Sequence, residues 1–342
     1  MKENYNSPNK ILFFSVIIPV FNRPDEVHEL LESLSLQTEK NFEIIIVEDG
    51  SSEKCENVVN EFSTKLSIKY FYKINEKPAI ARNFGSKKAE GNYFIFFDSD
   101  CIIPPDYFKI VTESLKQNYV DAFGGPDAAA KEFSLLQKAI SHSMTSFFTT
   151  GGIRGGKERL DKFYPRSFNM GISKEAFEKI GGFPVTSMHP GEDMAFSIEI
   201  LRQGFRTKLI KEAHVYHKRR NTLKSFFVQV HRFGKTRVVI SKIYPQTFKI
   251  FFFAPTFFIF FTLLMLIFSI FNILFILPIL IYISAVFAES VLKNKNISVA
   301  VLSIVTSFIQ LFGYGTGFFI SFLRTHILGK DEYNVLKTGF YK

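Results

Sequence analysis

Asp98-Ser99-Asp100 sets two carboxylates one residue apart, directly after the apolar run Tyr93–Phe97. If that run is a buried strand, both side chains emerge at its end and can converge on one hard cation. Oxygen ligands of this kind suit Mg2+ or Mn2+, whose shells are commonly completed by substrate phosphates and water. The same spacing also makes an ordinary turn cap. A second candidate for phosphate chemistry is Gly151-Gly152-Ile153-Arg154-Gly155-Gly156-Lys157, which keeps the spacing of a phosphate-cradling loop up to its Lys. Glu158 follows in place of the Ser or Thr that would hold magnesium, and its charge would repel phosphates. Residues 149–166 therefore read as a glycine-rich loop, with Arg154 or Arg166 available to an anionic group.

These residues need elements to position them, and the pattern before residue 249 supplies them. Phe13–Val20, Phe42–Val47, Lys69–Tyr72 and Tyr93–Phe97 are short apolar runs that predict strands. Between them Val27, Leu30, Leu31 and Leu34 fall on one helical face, and Ala79–Ala89 reads as helix. Alternation of apolar strands with helices predicts a mostly parallel sheet covered on both faces. Ligands of such sheets bind beyond the carboxyl ends of the strands, where Asp49 and Asp98 stand. Ile11–Phe21 runs into Asn22-Arg23-Pro24-Asp25 without a small-residue cleavage site, so it reads as a strand and not a signal segment. Glu192-Asp193 precedes Met194, Phe196, Ile198, Ile200 and Leu201, a helical pattern that stops at Gly204.

With 42 Lys+Arg against 32 Asp+Glu, the 342-residue chain carries a net charge of +10. Residues 202–249 alone hold 13 Lys/Arg and one acid, Glu212, so the basicity is a local belt suited to phosphate or an anionic membrane face. Cys55 and Cys101 are the only cysteines, too few for a disulfide scaffold and without zinc-ligand spacing, which points to a reducing compartment. Beyond residue 249 the character changes. Phe251–Ile270 and Ile273–Ala288 are nearly uninterrupted hydrocarbon, each close to the roughly 20 residues that cross a bilayer. A third stretch, Ile297–Leu323, contains Gln310 and Gly313-Tyr314-Gly315-Thr316-Gly317, and reads as a further span or as a re-entrant segment broken at those glycines.

Val16-Ile17-Ile18-Pro19-Val20-Phe21-Asn22-Arg23, Val47-Glu48-Asp49-Gly50-Ser51-Ser52, Ala81-Arg82-Asn83-Phe84-Gly85, Asp98-Ser99-Asp100 and Gly191-Glu192-Asp193 follow one another in the order of the signatures of family 2 glycosyltransferases, which the chain resembles over about residues 12–235. The resemblance implies a GT-A fold, a nucleotide-diphosphate sugar donor, a divalent metal and an inverting transfer. It implies that Pro19, Arg23, Asp49, Arg82 and Asp98 contact the donor, that Asp100 ligates the metal with Asp98, and that His217 lies near that metal. Asp193 becomes the expected general base, since a carboxylate must reach the acceptor hydroxyl; an acid in a first helical turn also simply complements the helix dipole. On the acceptor side stand Arg166, Asn169, Glu192, Gln229 and Arg232. Gln229-Val230-His231-Arg232-Phe233 is similar to the Gln-x-x-Arg-Trp element of processive synthases but lacks its Trp, which argues for one sugar per encounter.

The expectation is an α/β catalytic domain of GT-A type over 1–235, a basic juxtamembrane linker over 236–249, an all-α membrane region over 250–323 and a basic tail over 324–342. The expected enzyme is multi-pass in the inner (plasma) membrane with its catalytic domain cytoplasmic. Its expected acceptor is a lipid-linked or cell-surface glycan, with membrane lipids as partners and no nucleic acid. The alternatives are a polyprenyl-phosphate sugar synthase, a membrane-tethered P-loop ATPase and an inactive scaffold.

Overall fold

A strand covered on both faces must be apolar at every position, and Val16-Ile17-Ile18 meets that demand with all three side chains fully buried. The computed structural model describes residues 11–128, 130, 133–151, 163–184 and 190–330. In chain order the elements are β1 (Phe14–Val20), α1 (Pro24–Ser35), β2 (Phe42–Asp49), α2 (Glu56–Phe62), β3 (Ile68–Lys73) and α3 (Pro78–Lys88). They continue with β4 (Tyr93–Phe97), β5 (Cys101–Ile102), α4 (Tyr107–Gln117), β6 (Ala122–Gly124), β7 (Asp127–Ala128), α5 (Leu135–Thr145) and α6 (Phe147–Thr150). Then come β8 (Asn169–Ser173), α7 (Lys174–Ile180), α8 (Glu192–Arg202), β9 (Thr207–Leu209), β10 (Val215–His217) and α9 (Leu223–Ile243). The last are α10 (Ala254–Ser269), α11 (Leu277–Asn294) and α12 (Ile297–Phe322).

The chain divides into two units, the first comprising Met1–Ala128, Leu160–Val185 and Glu192–His217. Its main sheet has the order β3-β2-β1-β4-β8-β6-β9, and a smaller one has the order β5-β10-β7. The β1–β2, β2–β3 and β1–β4 pairs are parallel, as the strand–helix alternation predicts. Strand β8 is not legible as a strand in the sequence, and it pairs antiparallel with both β4 and β6. Alternate strand residues face opposite layers. Val16, Ile18, Ile44, Ile46 and Ile95 pack with α1, α2 and α4, while Ile17, Ile45, Phe94 and Phe96 pack with α3, α7 and α8. Removing one such ring, as in Phe96→Ala, would cost about 3–5 kcal/mol.

The second unit comprises Ala129–Arg159, Thr186–Gly191 and Lys218–Lys342. Ser134 opens α5 with a reciprocal capping box to Gln137, which satisfies two otherwise unpaired N–H groups. Three helical stretches, Ile250–Ser269, Ile273–Asn294 and Ile297–Ile327, are long and apolar enough to cross a membrane. Asn272 breaks the first from the second as the sequence predicts, and its Oδ1 accepts from the Leu274 N–H at 3.0 Å. The glycine run of the third does not break it: α12 is continuous from Ile297 to Phe322. A re-entrant break at Gly313–Gly317 is therefore corrected. Those glycines serve close packing instead, since a Cβ on Gly317 would stand 2.1 Å from the His231 carbonyl oxygen and one on Gly234 2.2 Å from that of Tyr314. Helix α9 runs through residue 235, where the catalytic domain was expected to end, so the expected linker over 236–249 begins as the second half of a helix.

Candidate active site

Three loops at the carboxyl ends of β1, β2 and β4 carry the first group of polar side chains. Asn22 adopts a left-handed φ of 52°, a conformation that Asn tolerates better than most residues. Its Oδ1 accepts from the N–H groups of Ser52 and Glu53 at 2.8 and 3.1 Å, which ties the loop after β1 to the loop after β2. Pro24 then opens α1, so the backbone on both sides of Arg23 is fixed. Pro19 lies within β1, opposite Val47 of β2.

Asp98 follows β4 directly and Asp100 ends the turn into β5. Arg23 Nη1 lies 2.5 Å from Asp100 Oδ2, and His217 Nε2 lies 3.0 Å from Asp100 Oδ1 and 4.0 Å from Asp98 Oδ2. His217 reaches this position because β10 pairs antiparallel with β5, with His217 opposite Cys101. Its ring stacks on Phe168 at 5.1 Å between centroids, a support that sequence reading missed and that the adjacency of Phe168 to Asn169 only hints at. Burial opposes ionisation of Asp100, yet His217 and Arg23 outweigh it and hold the carboxyl well below the ordinary range.

Asp100 Oδ1 is buried and faces His217 Nε2 at 3.0 Å, without a well-aligned hydrogen bond among the described residues. A carboxylate oxygen of this kind, with Asp98 nearby, is the donor that Mg2+ or Mn2+ favours, and the imidazole nitrogen beside it can add a further ligand. The Cys101 Sγ also lies within 4.8 Å of these ligand atoms. Burial pushes its thiol well up in pKa, however, and leaves the carboxylate and imidazole as the natural donors.

Arg82 joins this group to the second acidic pair. From α3 its Nη2 reaches Asp98 Oδ1 at 2.7 Å and its Nη1 reaches Glu192 Oε1 at 3.5 Å, with the side chain only 4% exposed. The guanidinium also lies over the Phe183 ring, 5.4 Å from its centroid. Gly191, at φ 128°, turns the chain into α8 in a conformation that L side chains rarely adopt. Asp193, in the first turn of that helix, accepts from Arg166 Nε at 2.7 Å. The structure thus brings Arg23, Arg82, Asp98, Asp100 and His217 together, and pairs Asp193 with Arg166.

Other expected positions sit differently. Asp49 accepts from Lys73 Nζ at 2.8 Å and from the N–H groups of Glu76 and Lys77 at 3.0 and 2.8 Å, so protein donors already engage both its oxygens. Asn169, expected on the acceptor wall, is fully buried and turns its amide inward. Its Oδ1 accepts from the Tyr107 hydroxyl at 2.6 Å and its Nδ2 donates to the Ala213 carbonyl at 2.8 Å, which makes it a support of β8. Gln229 and Arg232 belong to α9 in the second unit. The glycine-rich segment up to Lys157 lies, after Gly151, outside the described residues.

Residues 15–181 match the family model described as Glycosyl transferase family 2. An uncharacterized glycosyltransferase of Rickettsia felis is 43% identical over 104 residues, which cover 30% of this chain and 17% of that one. The chain thus spans about a sixth of that relative's length. An uncharacterized glycosyltransferase of Haemophilus influenzae is 29% identical over 222 residues, covering 62% of this chain and 71% of the relative. Among solved structures, the mannosyltransferase PcManGT from Pyrobaculum calidifontis, in complex with GDP-Man and Mn2+, shares the fold with a TM-score of 0.56 at 15% identity, over 95% of this chain and 89% of that one. The sheet and its helices are those of a GT-A fold, and the sequence match over residues 15–181 is to family 2 glycosyltransferases.

Proposed function

We propose that this family 2 domain transfers a sugar, with inversion, from a nucleotide-diphosphate donor to a lipid-linked or cell-surface glycan acceptor at a membrane. The observation that carries the reading is the bridge made by Arg82, which links Asp98 at the end of β4 to Glu192 beside Asp193. One guanidinium thereby ties the carboxylates expected at the donor to those expected at the acceptor. Neighbouring folds bound to GDP-Man with Mn2+ and to UDP-GlcNAc are in keeping with such a donor.

In this reading the acceptor oxygen attacks the anomeric carbon as the bond to the diphosphate breaks. Asp193 takes the hydroxyl proton as the new C–O bond forms. Arg82 and Arg23 meet the charge that develops on the departing diphosphate. Asp100 and His217, with Asp98 beside them, would hold Mg2+ or Mn2+, which supplies further charge stabilisation to the leaving group. Arg166 orients the Asp193 carboxylate. Three helices able to cross a bilayer support an acceptor delivered from the membrane, and the basic residues flanking them favour the first unit on the cytoplasmic side.

The pairing of Arg166 with Asp193 favours one second reading, a polyprenyl-phosphate acceptor. A phosphate oxygen brings no proton, so it needs a guanidinium more than a base. The deciding experiment offers the full chain a panel of nucleotide sugars with membrane lipids, with and without chelator, and follows nucleoside diphosphate release. Release from one donor that needs both lipid and metal supports transfer. No release from any donor, or hydrolysis of ATP instead, overturns it.

A further inference from the structure

In the centre formed by Arg23, Arg82, Asp98, Asp100 and His217, each aspartate already holds a guanidinium before any cation or nucleotide binds. Arg23 stands 2.5 Å from Asp100 and Arg82 2.7 Å from Asp98, so two guanidiniums face two carboxylates. The Arg82 side chain is 4% exposed and held on two acids, whereas that of Arg23 is 31% exposed and held on one. The backbone of Arg23 is fixed between the clamped Asn22 and Pro24. What remains free is the side chain itself, on the very carboxylate that a divalent ion would use.

We propose that Arg23 is a resident counter-cation, which holds Asp100 in the resting protein and yields it when a divalent ion arrives together with a nucleoside diphosphate. An ion alone on Asp100 Oδ1 must stand beside a guanidinium of like sign held on Oδ2 of the same carboxylate, or else displace that charge-assisted hydrogen bond. A nucleoside diphosphate removes that obstacle, because two of its phosphate oxygens can meet the planar fork of the guanidinium and replace the carboxylate as its partner. Cation and nucleotide therefore bind with positive coupling, and by linkage the coupling is reciprocal. The inference rests on the donor-and-cation reading above and adds to it an order of assembly. Arg23 acts through Asp100 on the cation and through the phosphates on the donor.

The test is a Mn2+ titration of the full chain in detergent micelles, following the paramagnetic resonance signal of the free ion. Wild type, Arg23→Gln and Arg23→Lys are each measured alone and with UDP, GDP or dTDP. Wild type should bind Mn2+ more tightly with at least one of the nucleotides, by about tenfold, within the range of about 5–150-fold usual for coupled sites. Arg23→Gln should bind Mn2+ alone about tenfold more tightly than wild type and lose most of the nucleotide effect. Arg23→Lys, which keeps the charge but not the fork, should bind Mn2+ alone much as wild type does and keep only part of the nucleotide effect. The inference is overturned if Arg23→Gln gains no affinity for the ion, or if no nucleotide changes the affinity of wild type. Uptake of Mn2+ by wild type with neither effect leaves the cation site standing and removes only the role of Arg23. Failure of every protein to take up Mn2+ under all conditions removes the cation reading as well.

Discussion

Arg166 Nε donates to Asp193 Oδ2 at 2.7 Å, so the carboxylate in the first turn of α8 is held by a guanidinium from the segment just before β8. The carboxylate also accepts from its neighbour's backbone, with the Met194 N–H 2.7 Å from Oδ1. These two bonds fix its orientation. Asp193→Asn is expected to lower kcat by about 10²–10⁴-fold, the usual worth of a general base, with donor affinity unchanged. Arg166→Ala should lower kcat by about tenfold and leave the donor KM alone. A fully active Asp193→Asn enzyme would point instead to another base, Glu192 being the next candidate, or to a phosphate acceptor that brings no proton.

Asp100→Asn is expected to reduce turnover by about 10²–10³-fold, as removal of a key electrostatic group typically does. Donor binding in the presence of Mn2+ should weaken in parallel, while the far-ultraviolet circular dichroism stays that of the wild type. Near-normal turnover in this variant, or indifference of the wild type to chelator, would reduce the Asp98–Asp100 pair to a turn cap.

Glu43 gives a pH prediction away from the site. Its side chain is 2% exposed and accepts from Lys69 Nζ at 2.7 Å, Ser15 Oγ at 2.6 Å and the Glu90 N–H at 2.6 Å. Burial disfavours its charge, but Lys69, Ser15 and Glu90 outweigh burial and lower its pKa. A carboxyl whose folded pKa is depressed stabilises the fold above its unfolded pKa, about 4.3 for Glu, and loses that stabilisation as pH falls through the folded value. Glu43→Gln should therefore cost about 1.5–3 kcal/mol near pH 7, the usual worth of hydrogen bonds to a charged group. The difference should vanish in acid, as read from urea unfolding at a series of pH values.

The crossing of α9 and α12 depends on backbone approach at Gly234 and Gly317. Gly317→Val places a branched side chain where a Cβ would already stand 2.1 Å from the His231 carbonyl. The melting temperature in detergent should fall by several degrees, since overpacking costs about 1–3 kcal/mol or more. Val301→Ala, at a half-exposed position of the same helix, should leave it unchanged.

Lys235, Arg237, Lys242 and Lys249 precede the first apolar helix, and Lys293 and Lys295 follow the second. The positive-inside rule predicts both ends of the α10–α11 hairpin on the cytoplasmic side and Asn272 on the far side. A single cysteine at position 272 in a Cys-free background should react with an impermeant thiol reagent in intact cells. One at position 295 should react only after permeabilisation, and the opposite pattern would invert the topology.

Much of this was already legible in the residues. The strand Tyr93–Phe97 carries its own apolar pattern and the acids that follow it, because both lie within a few residues of one another. The same is true of Asn272 between two hydrocarbon runs, and of the acids that open α8. Strand β8 was not legible, since the tail of its Arg166-Ser167-Phe168-Asn169-Met170-Gly171 segment becomes a strand only by filling the gap between β4 and β6. The destiny of Asn169 followed from that placement, which turned a candidate sugar ligand inward to Tyr107 and Ala213. The glycines of α12 looked like a break and proved to be a seam, because only the approach of α9 to Gly313 and Gly317 and of α10 to Gly315 gives them partners. The charge pairs of the site were likewise decided by the tertiary fold: Arg23 and Asp100 are 77 residues apart in the chain, and Arg82 and Glu192 are 110 apart. Periodicity and propensity act over a turn or a strand, so the sequence alone determined β1 to β4, the helices α1 and α3 between them and the acids at their ends. Which charges meet depends on strand order, register and the reach of each side chain, and those are properties of the folded chain.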